Sequence, residues 1–179
     1  RSEIAGDTQV ALQHVGSKGV HTGTPIRPEL YHGDRAAGLA FCGLTGEKPV
    51  LLVMGGSTGA QSLNNLVYEA LPRLTQTFDV VHLCGTGKKN EEITCPGYVQ
   101  IEYVNKEMAD VFACADMVLS RAGANAVFEF LSLTKPAVLV PLPLSASRGD
   151  QIQNARYFEE KGYAVMVDQD TATADSMTD

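Results

Sequence analysis

From Val50 to Met54 the chain is apolar at every position, with no alternation. That pattern predicts a strand buried on both faces of a parallel sheet. From Gln61 the period changes, and Leu63, Leu66, Val67, Ala70, Leu71 and Leu74 fall on one face of a helix. The same alternation continues. Apolar runs at Asp79–Cys84, Tyr98–Val104, Met117–Leu119, the "AVLVPLP" that follows Pro136, and Tyr163–Val167 predict strands. Helices are predicted over "RAAGLAFCGL", over Glu107–Cys114, from Gly123 through Leu133, and over Asp150–Lys161 with Gly162 as its stop. Another helix is expected to start near Thr171. Strands and helices alternating at this spacing read as an α/β fold, a doubly wound, Rossmann-like parallel sheet.

Residues 1–21 show no convincing periodicity and read as a leading segment or interdomain connector, with 22–179 as the folded domain. "TGTPIRPEL" is turn-rich, and Pro25 and Pro28 hold Thr24 and Arg27 extended. Three turns, after Met54, Leu119 and Val140, lie at the carboxyl ends of predicted strands, where such folds bind ligands. In the first, "GGSTGAQSLN", Gly55 and Gly56 let a ligand approach the backbone, and Ser57 or Thr58 adds a hydroxyl. A helix start just beyond suits an anion such as phosphate. The turn is neither G-x-x-x-x-G-K-[ST] nor G-x-G-x-x-G, and a tight turn without a ligand has the same pattern. In the second, "SRAGANAVFE", Glu129 interrupts an apolar run; a carboxylate there suits a ribose diol, or simply a solvated helix position. In the third, "PLPLSASRGDQIQNA", Gln151 and Asn154 share a helix face and suit a polyhydroxyl ligand. Capping by Asp150, with both amides in water, is the plainer alternative. Arg27, on its Pro-flanked turn, is either a diphosphate partner or a surface arginine.

Composition narrows the function classes. The chain has 179 residues, 44% hydrophobic and 20% charged, as in ordinary globular protein, and no apolar run long enough to span a bilayer. The first residues lack a signal-peptide apolar region. Cys42, Cys84, Cys95 and Cys114 lie far apart without a C-x-x-C pair, which suggests reduced thiols and neither a disulfide framework nor a zinc site. A net charge of −7, with no basic stripe, argues against nucleic acid as a partner. His14, His21, His32 and His82 have no partners at metal spacing and read as structural or surface residues.

Taken in order and spacing, "TGTPIR", "GGSTGAQSLN", "SRAGANAVFE" and "SASRGDQIQNA" resemble the carboxyl-terminal half of the MurG family of peptidoglycan glycosyltransferases, over roughly residues 20–179. The resemblance implies a GT-B fold of two Rossmann-like domains, of which this chain would be the UDP-sugar domain. It implies transfer of N-acetylglucosamine from UDP-N-acetylglucosamine to a lipid-linked peptidoglycan precursor, lipid I to lipid II. The acceptor and the general base would belong to the other domain. The full-length protein would then be cytoplasmic and peripheral on the cytoplasmic face of the cell membrane, working in cell-wall synthesis. Carried over by motif, the diphosphate would meet Gly56, Ser57, Thr58 and Gly59, with Arg27 nearby. Glu129 would hold the ribose and the backbone at Val104 the uracil. The amides after Gly123, at Ala124, Asn125 and Ala126, would face diphosphate and sugar, and Gln151 and Asn154 would bind sugar hydroxyls. Some members have threonine where this chain has Ala126. The four motifs contain no D-x-D pair, so neither a metal nor a cofactor is expected. The chain begins without an obvious domain start and ends within a helix signal, as a fragment would, and alone it is expected to bind donor without turnover. The rivals are another GT-B enzyme (a diacylglycerol glycosyltransferase or a UDP-N-acetylglucosamine 2-epimerase), or a nucleotide-sugar binding module. A dinucleotide oxidoreductase fits least, lacking the glycine fingerprint.

Overall fold

The computed structural model describes residues 24–56 and 60–174. After a short 3-10 turn at Pro28–His32 the elements are α1 (Arg35–Cys42), β1 (Val50–Met54), α2 (Gln61–Thr77), β2 (Asp79–Leu83), β3 (Tyr98–Ile101), α3 (Met108–Cys114), β4 (Met117–Ser120), α4 (Ala124–Ser132), β5 (Ala137–Leu139), α5 (Asp150–Glu160) and β6 (Ala164–Met166). The strands form one sheet in the order β3-β2-β1-β4-β5-β6. Every pairing is parallel, with Leu52 opposite Val81 on one side and Val118 on the other.

The unbroken apolar run of β1 is explained by its place at the sheet's centre. Leu51 and Val53 point to the α2 face, against Leu63, Val67, Ala70, Leu71 and Leu74. Val50 and Leu52 point the other way, into a core with Val111, Phe112, Val118 and Phe130. Each such side chain, fully buried, contributes about 1.5–3 kcal/mol. Helix α1 packs on α3 backbone to backbone: a side-chain carbon at Gly38 would lie 2.1 Å from the Asp110 carbonyl oxygen, and one at Gly33 2.0 Å from that of Ala109.

The α2 face also buries a polar chain. The His82 side chain is fully buried, with Nε2 3.0 Å from Asn64 Oδ1 and Nδ1 2.8 Å from the Tyr98 hydroxyl. Asn64 Nδ2 donates to the Cys84 carbonyl at 2.9 Å, so its Oδ1 is the acceptor and His82 Nε2 carries the proton. Nδ1 then accepts from Tyr98. Burial pulls the His82 pKa down to about 4.

Three boundaries differ from expectation. β3 ends at Ile101 and β5 at Leu139, short of Val104 and of the prolines that follow. Pro141 and Pro143 have no N–H to extend a ladder. No helix starts between Thr171 and Ala174: Asp168 instead closes a turn, its carbonyl accepting from Thr171 N at 3.2 Å and its Oδ1 from Asp170 N at 2.9 Å. All four cysteines are free thiols, three of them buried. Among the described residues no helix is long and apolar enough to cross a membrane.

Candidate functional site

The strand order reverses direction between β1 and β4, and the chain turns away from the sheet there on both sides. A cavity of about 540 Å³ opens at the carboxyl ends of these strands. It brings together Arg27, Gly56, Val104, Gly123, Ala124, Asn125, Ala126 and Glu129, eight of the thirteen residues expected from sequence. Ser57, Thr58 and Gly59 lie outside the described residues, as do the leading segment 1–21, His14 and His21. A smaller cavity, about 340 Å³, sits at the other end of the sheet, around the starts of β5 and β6, and is lined mainly by apolar side chains such as Phe130, Leu131 and Tyr163.

Of the helices that meet the sheet's carboxyl edge, α2 and α4 start bare, whereas α3 and α5 carry Asp110 and Asp150 in their first turns. Neither Ala60 before α2 nor Gly123 before α4 supplies a side-chain cap, and neither helix has an acidic residue in its first turn. Among the described residues their first N–H groups therefore lack a side-chain cap, with the positive end of the helix dipole behind them. Helix α1 is built differently: Asp34 accepts from Ala37 N at 2.7 Å. Gly56 has φ +88°, a conformation that costs other residues about 1–2 kcal/mol. Gly123 has φ −67°, which any residue can adopt, and a side-chain carbon there would meet nothing within 4 Å.

The site's charged residues meet across 102 positions of sequence. Arg27 Nε donates to Glu129 Oε1 at 3.1 Å, and Nη2 lies 3.1 Å from the same oxygen. Arg27 is extended, as its flanking prolines require. The Glu129 side chain is 14% exposed, so it is no solvated helix position. Its second oxygen, Oε2, is not engaged by Arg27.

Gln151 and Asn154 do not line this cavity. Gln151 Oε1 accepts from Leu142 N at 3.1 Å, and Asn154 Nδ2 donates to the Ala122 carbonyl at 3.0 Å. Both amides thus anchor turns that follow β5 and β4. The alternative reading, a cap at Asp150 with both amides in water, does not hold: Gly149, in a left-handed conformation, is the cap position and Asp150 is the first helical residue. Sequence reading missed Met54, Leu83, Glu102, Tyr103 and Met108 in the cavity wall. Met54 and Leu83 are the last residues of β1 and β2 and lie in register with each other, with Ser120 on the other side of Met54. Glu102, whose Oε1 accepts from Gly87 N at 3.1 Å, and Tyr103, 63% exposed, follow the end of β3. Their only signal was adjacency to Val104. Among the described residues no three His, Cys, Asp or Glu side chains gather as a metal site.

Comparisons with known proteins show the family of the chain. Residues 50–179 match the model of the glycosyltransferase family 28 C-terminal domain. The chain is 50% identical, over 161 residues, to the UDP-N-acetylglucosamine–N-acetylmuramyl-(pentapeptide) pyrophosphoryl-undecaprenol N-acetylglucosamine transferase of Lachnospira eligens, covering 89% of this chain and 46% of that one. It is 50% identical over 178 residues to the second such transferase of Bacillus cereus, covering 98% and 51%. The chain spans about half the length of the curated relatives it matches. Among solved structures it is similar to Acinetobacter baumannii MurG, with TM-score 0.65, 25% identity, and coverage of 98% of this chain and 53% of that one. The calicheamicin glycosyltransferase CalG4 shares the fold at TM-score 0.65 and 19% identity, with coverage of 93% and 39%.

Proposed function

The chain belongs to glycosyltransferase family 28 through its C-terminal domain, and from that membership we propose that it is the donor-binding half of an inverting N-acetylglucosaminyltransferase. The reaction would move N-acetylglucosamine from UDP-N-acetylglucosamine to the lipid-linked peptidoglycan precursor, lipid I to lipid II. The names of its relatives support both substrates. The observation that carries the reading is the single cavity joining Gly56 of the glycine turn, the bare start of α4, Arg27 and Glu129 at the sheet's switch point. The longer protein would work at the cytoplasmic face of the cell membrane, where its lipid-linked acceptor resides, and residues 1–21 would lead into this domain from the acceptor half.

In this scheme the uracil edge meets the backbone at Val104, and the ribose hydroxyls reach Glu129 through Oε2 or by displacing Arg27 from Oε1. Arg27, released, can turn to the diphosphate. The diphosphate lies against the turn of Gly56, Ser57, Thr58 and Gly59 and against the amides of Ala124, Asn125 and Ala126. Gly123 leaves space for its oxygens. As the bond to the anomeric carbon lengthens, negative charge grows on that diphosphate. Amides and helix starts already aimed at it stabilise the charge without reorganising. The acceptor hydroxyl attacks from the opposite face, activated by a base outside this chain, and the anomeric configuration inverts. Gln151, with its Nε2 still a donor, and Asn154, with its Oδ1 still an acceptor, would read sugar hydroxyls from the turns they anchor. No step in this scheme calls for a metal ion.

Glu129→Ala should weaken UDP binding by about 1.5–3 kcal/mol, the range for hydrogen bonds to a charged group. The 2′,3′-dideoxy analogue should bind wild type and variant alike. Calorimetry with both ligands measures this. A variant that still prefers UDP strongly over the dideoxy analogue would show that the ribose is held elsewhere.

A further inference from the structure

Arg121, in the turn after β4, is only 3% exposed. Its Nη1 donates to the carbonyls of Val140 at 2.8 Å and Pro141 at 3.2 Å. Its Nη2 donates to Ser62 Oγ at 2.7 Å and to Gln169 Oε1. All four acceptors are neutral, and among the described residues no carboxylate pairs with it. Nε is buried with no partner. Burial lowers the Arg121 pKa from its ordinary value, yet a guanidinium keeps its charge in proteins. A buried cation without a counter-ion is costly and calls for a reason.

Its position supplies one. The Arg121 backbone N–H reaches the carbonyl of Met54, the last residue of β1, at 3.4 Å. Its guanidinium holds Ser62, the second residue of α2. One residue therefore grips both ends of the first glycine turn. The same guanidinium holds Val140 and Pro141, where the third turn begins, and Gly123 of the second turn follows two residues later. The three turns at the sheet's carboxyl edge thus share one fixed positive charge, behind helix starts whose dipoles have the same sign.

We propose that Arg121 is a positioning residue for the donor's diphosphate: it locks the start of α2 against the ends of β4 and β5, and its unneutralised charge favours the anion received in front of it. This rests on the donor-binding reading above. A purely structural arginine would serve uridine and UDP equally, because its loss would loosen the whole site. A residue acting on the diphosphate must separate the two ligands.

The test titrates the 179-residue chain with UDP and with uridine by calorimetry, alongside thermal melting, for wild type, Arg121→Lys, Arg121→Met and Ser62→Ala. Wild type should prefer UDP. Arg121→Met should cut that preference about tenfold or more, with uridine affinity within about twofold of wild type, as loss of a charge-assisted contribution requires. Arg121→Lys, which keeps the charge, should restore most of the preference. If Arg121→Met melts below the assay temperature, Ser62→Ala carries the test, with an expected fall in preference of about threefold at unchanged melting. Equal losses for UDP and uridine in Arg121→Met, or an unchanged preference in Ser62→Ala, would overturn the proposal. A wild-type chain that binds UDP no better than uridine would overturn the donor reading itself, and this inference with it.

Discussion

Glycine does opposite jobs in two regions of this domain. At the crossing of α1 and α3, Gly33 and Gly38 are demanded by their neighbours: an added carbon would overlap the carbonyls of Ala109 and Asp110 at 2.0 and 2.1 Å. At the sheet's carboxyl edge, no described residue crowds Gly56 or Gly123 within 4 Å. Gly56 answers at least to its backbone conformation, φ +88°. Gly123 answers to neither conformation nor packing, and it lines the cavity. The first region shows glycine spent on packing, and the second shows glycine spent on keeping a space open.

Substitution at the crossing should have the largest effect. Gly38→Val must force α1 off α3 and should cost about 4 kcal/mol, at the high end for overpacking because the obstacle is backbone. Urea unfolding measures it, and a loss below about 1 kcal/mol would mean that the crossing yields easily.

The packed interior should also respond to acid. His82 is held neutral, its pKa pulled from 6.5 to about 4 by burial. Between those values the unfolded chain binds a proton that the folded chain refuses. Stability from this group is therefore complete above pH 6.5 and falls as pH drops toward 4, by about 3 kcal/mol in all. Urea midpoints across that window should fall in wild type, and in His82→Gln the fall should be smaller. Parallel pH profiles for the two proteins would remove His82 from the account.

The smallest change tests the open edge most directly. Gly123→Ala should alter stability by less than about 0.5 kcal/mol, since the conformation is ordinary and the site uncrowded. UDP affinity should nevertheless fall about tenfold, or about 1.4 kcal/mol, if that space belongs to the ligand. A variant that binds UDP as well as wild type would make Gly123 a bystander.

Much of this domain can be read from the chain alone, and the exceptions share a cause. β1 and α2 are legible because burial on two faces, and on one face of a helix, leaves direct traces in residue order. Arg27 and Glu129 are legible as site chemistry, but their ion pair is not, since it joins residues 102 apart. Gln151 and Asn154 share a helix face as their spacing requires. Their amides also satisfy backbone groups of Leu142 and Ala122, which sit in turns without ladder partners. Asn64 falls beside the apolar stripe of α2 and looks like a surface residue until β2 brings His82 to it. Arg121 is the clearest omission. It stands inside "SRAGANAVFE", and its signal was a charge set between Leu119 and Ala122, both buried. In each case the partner comes from another element, and no local pattern encodes the partner.

The strand order also bears on how the chain is made. β1 must pair with β2, which follows within one helix, and with β4, whose register joins Met54 to Ser120 across 66 residues. On a ribosome β1 emerges first and waits longest, for its second neighbour cannot be synthesised until β2, β3 and α3 have passed. Closing such long loops before their contacts form slows folding and exposes apolar edges meanwhile. The segment "VLLVM", apolar at every position and buried from Val50 to Val53 in the finished domain, is thus its greatest aggregation hazard during synthesis. Translation halted just before Met117 should yield nascent chains that depend on chaperones, and release of β4 from the exit tunnel should end that dependence.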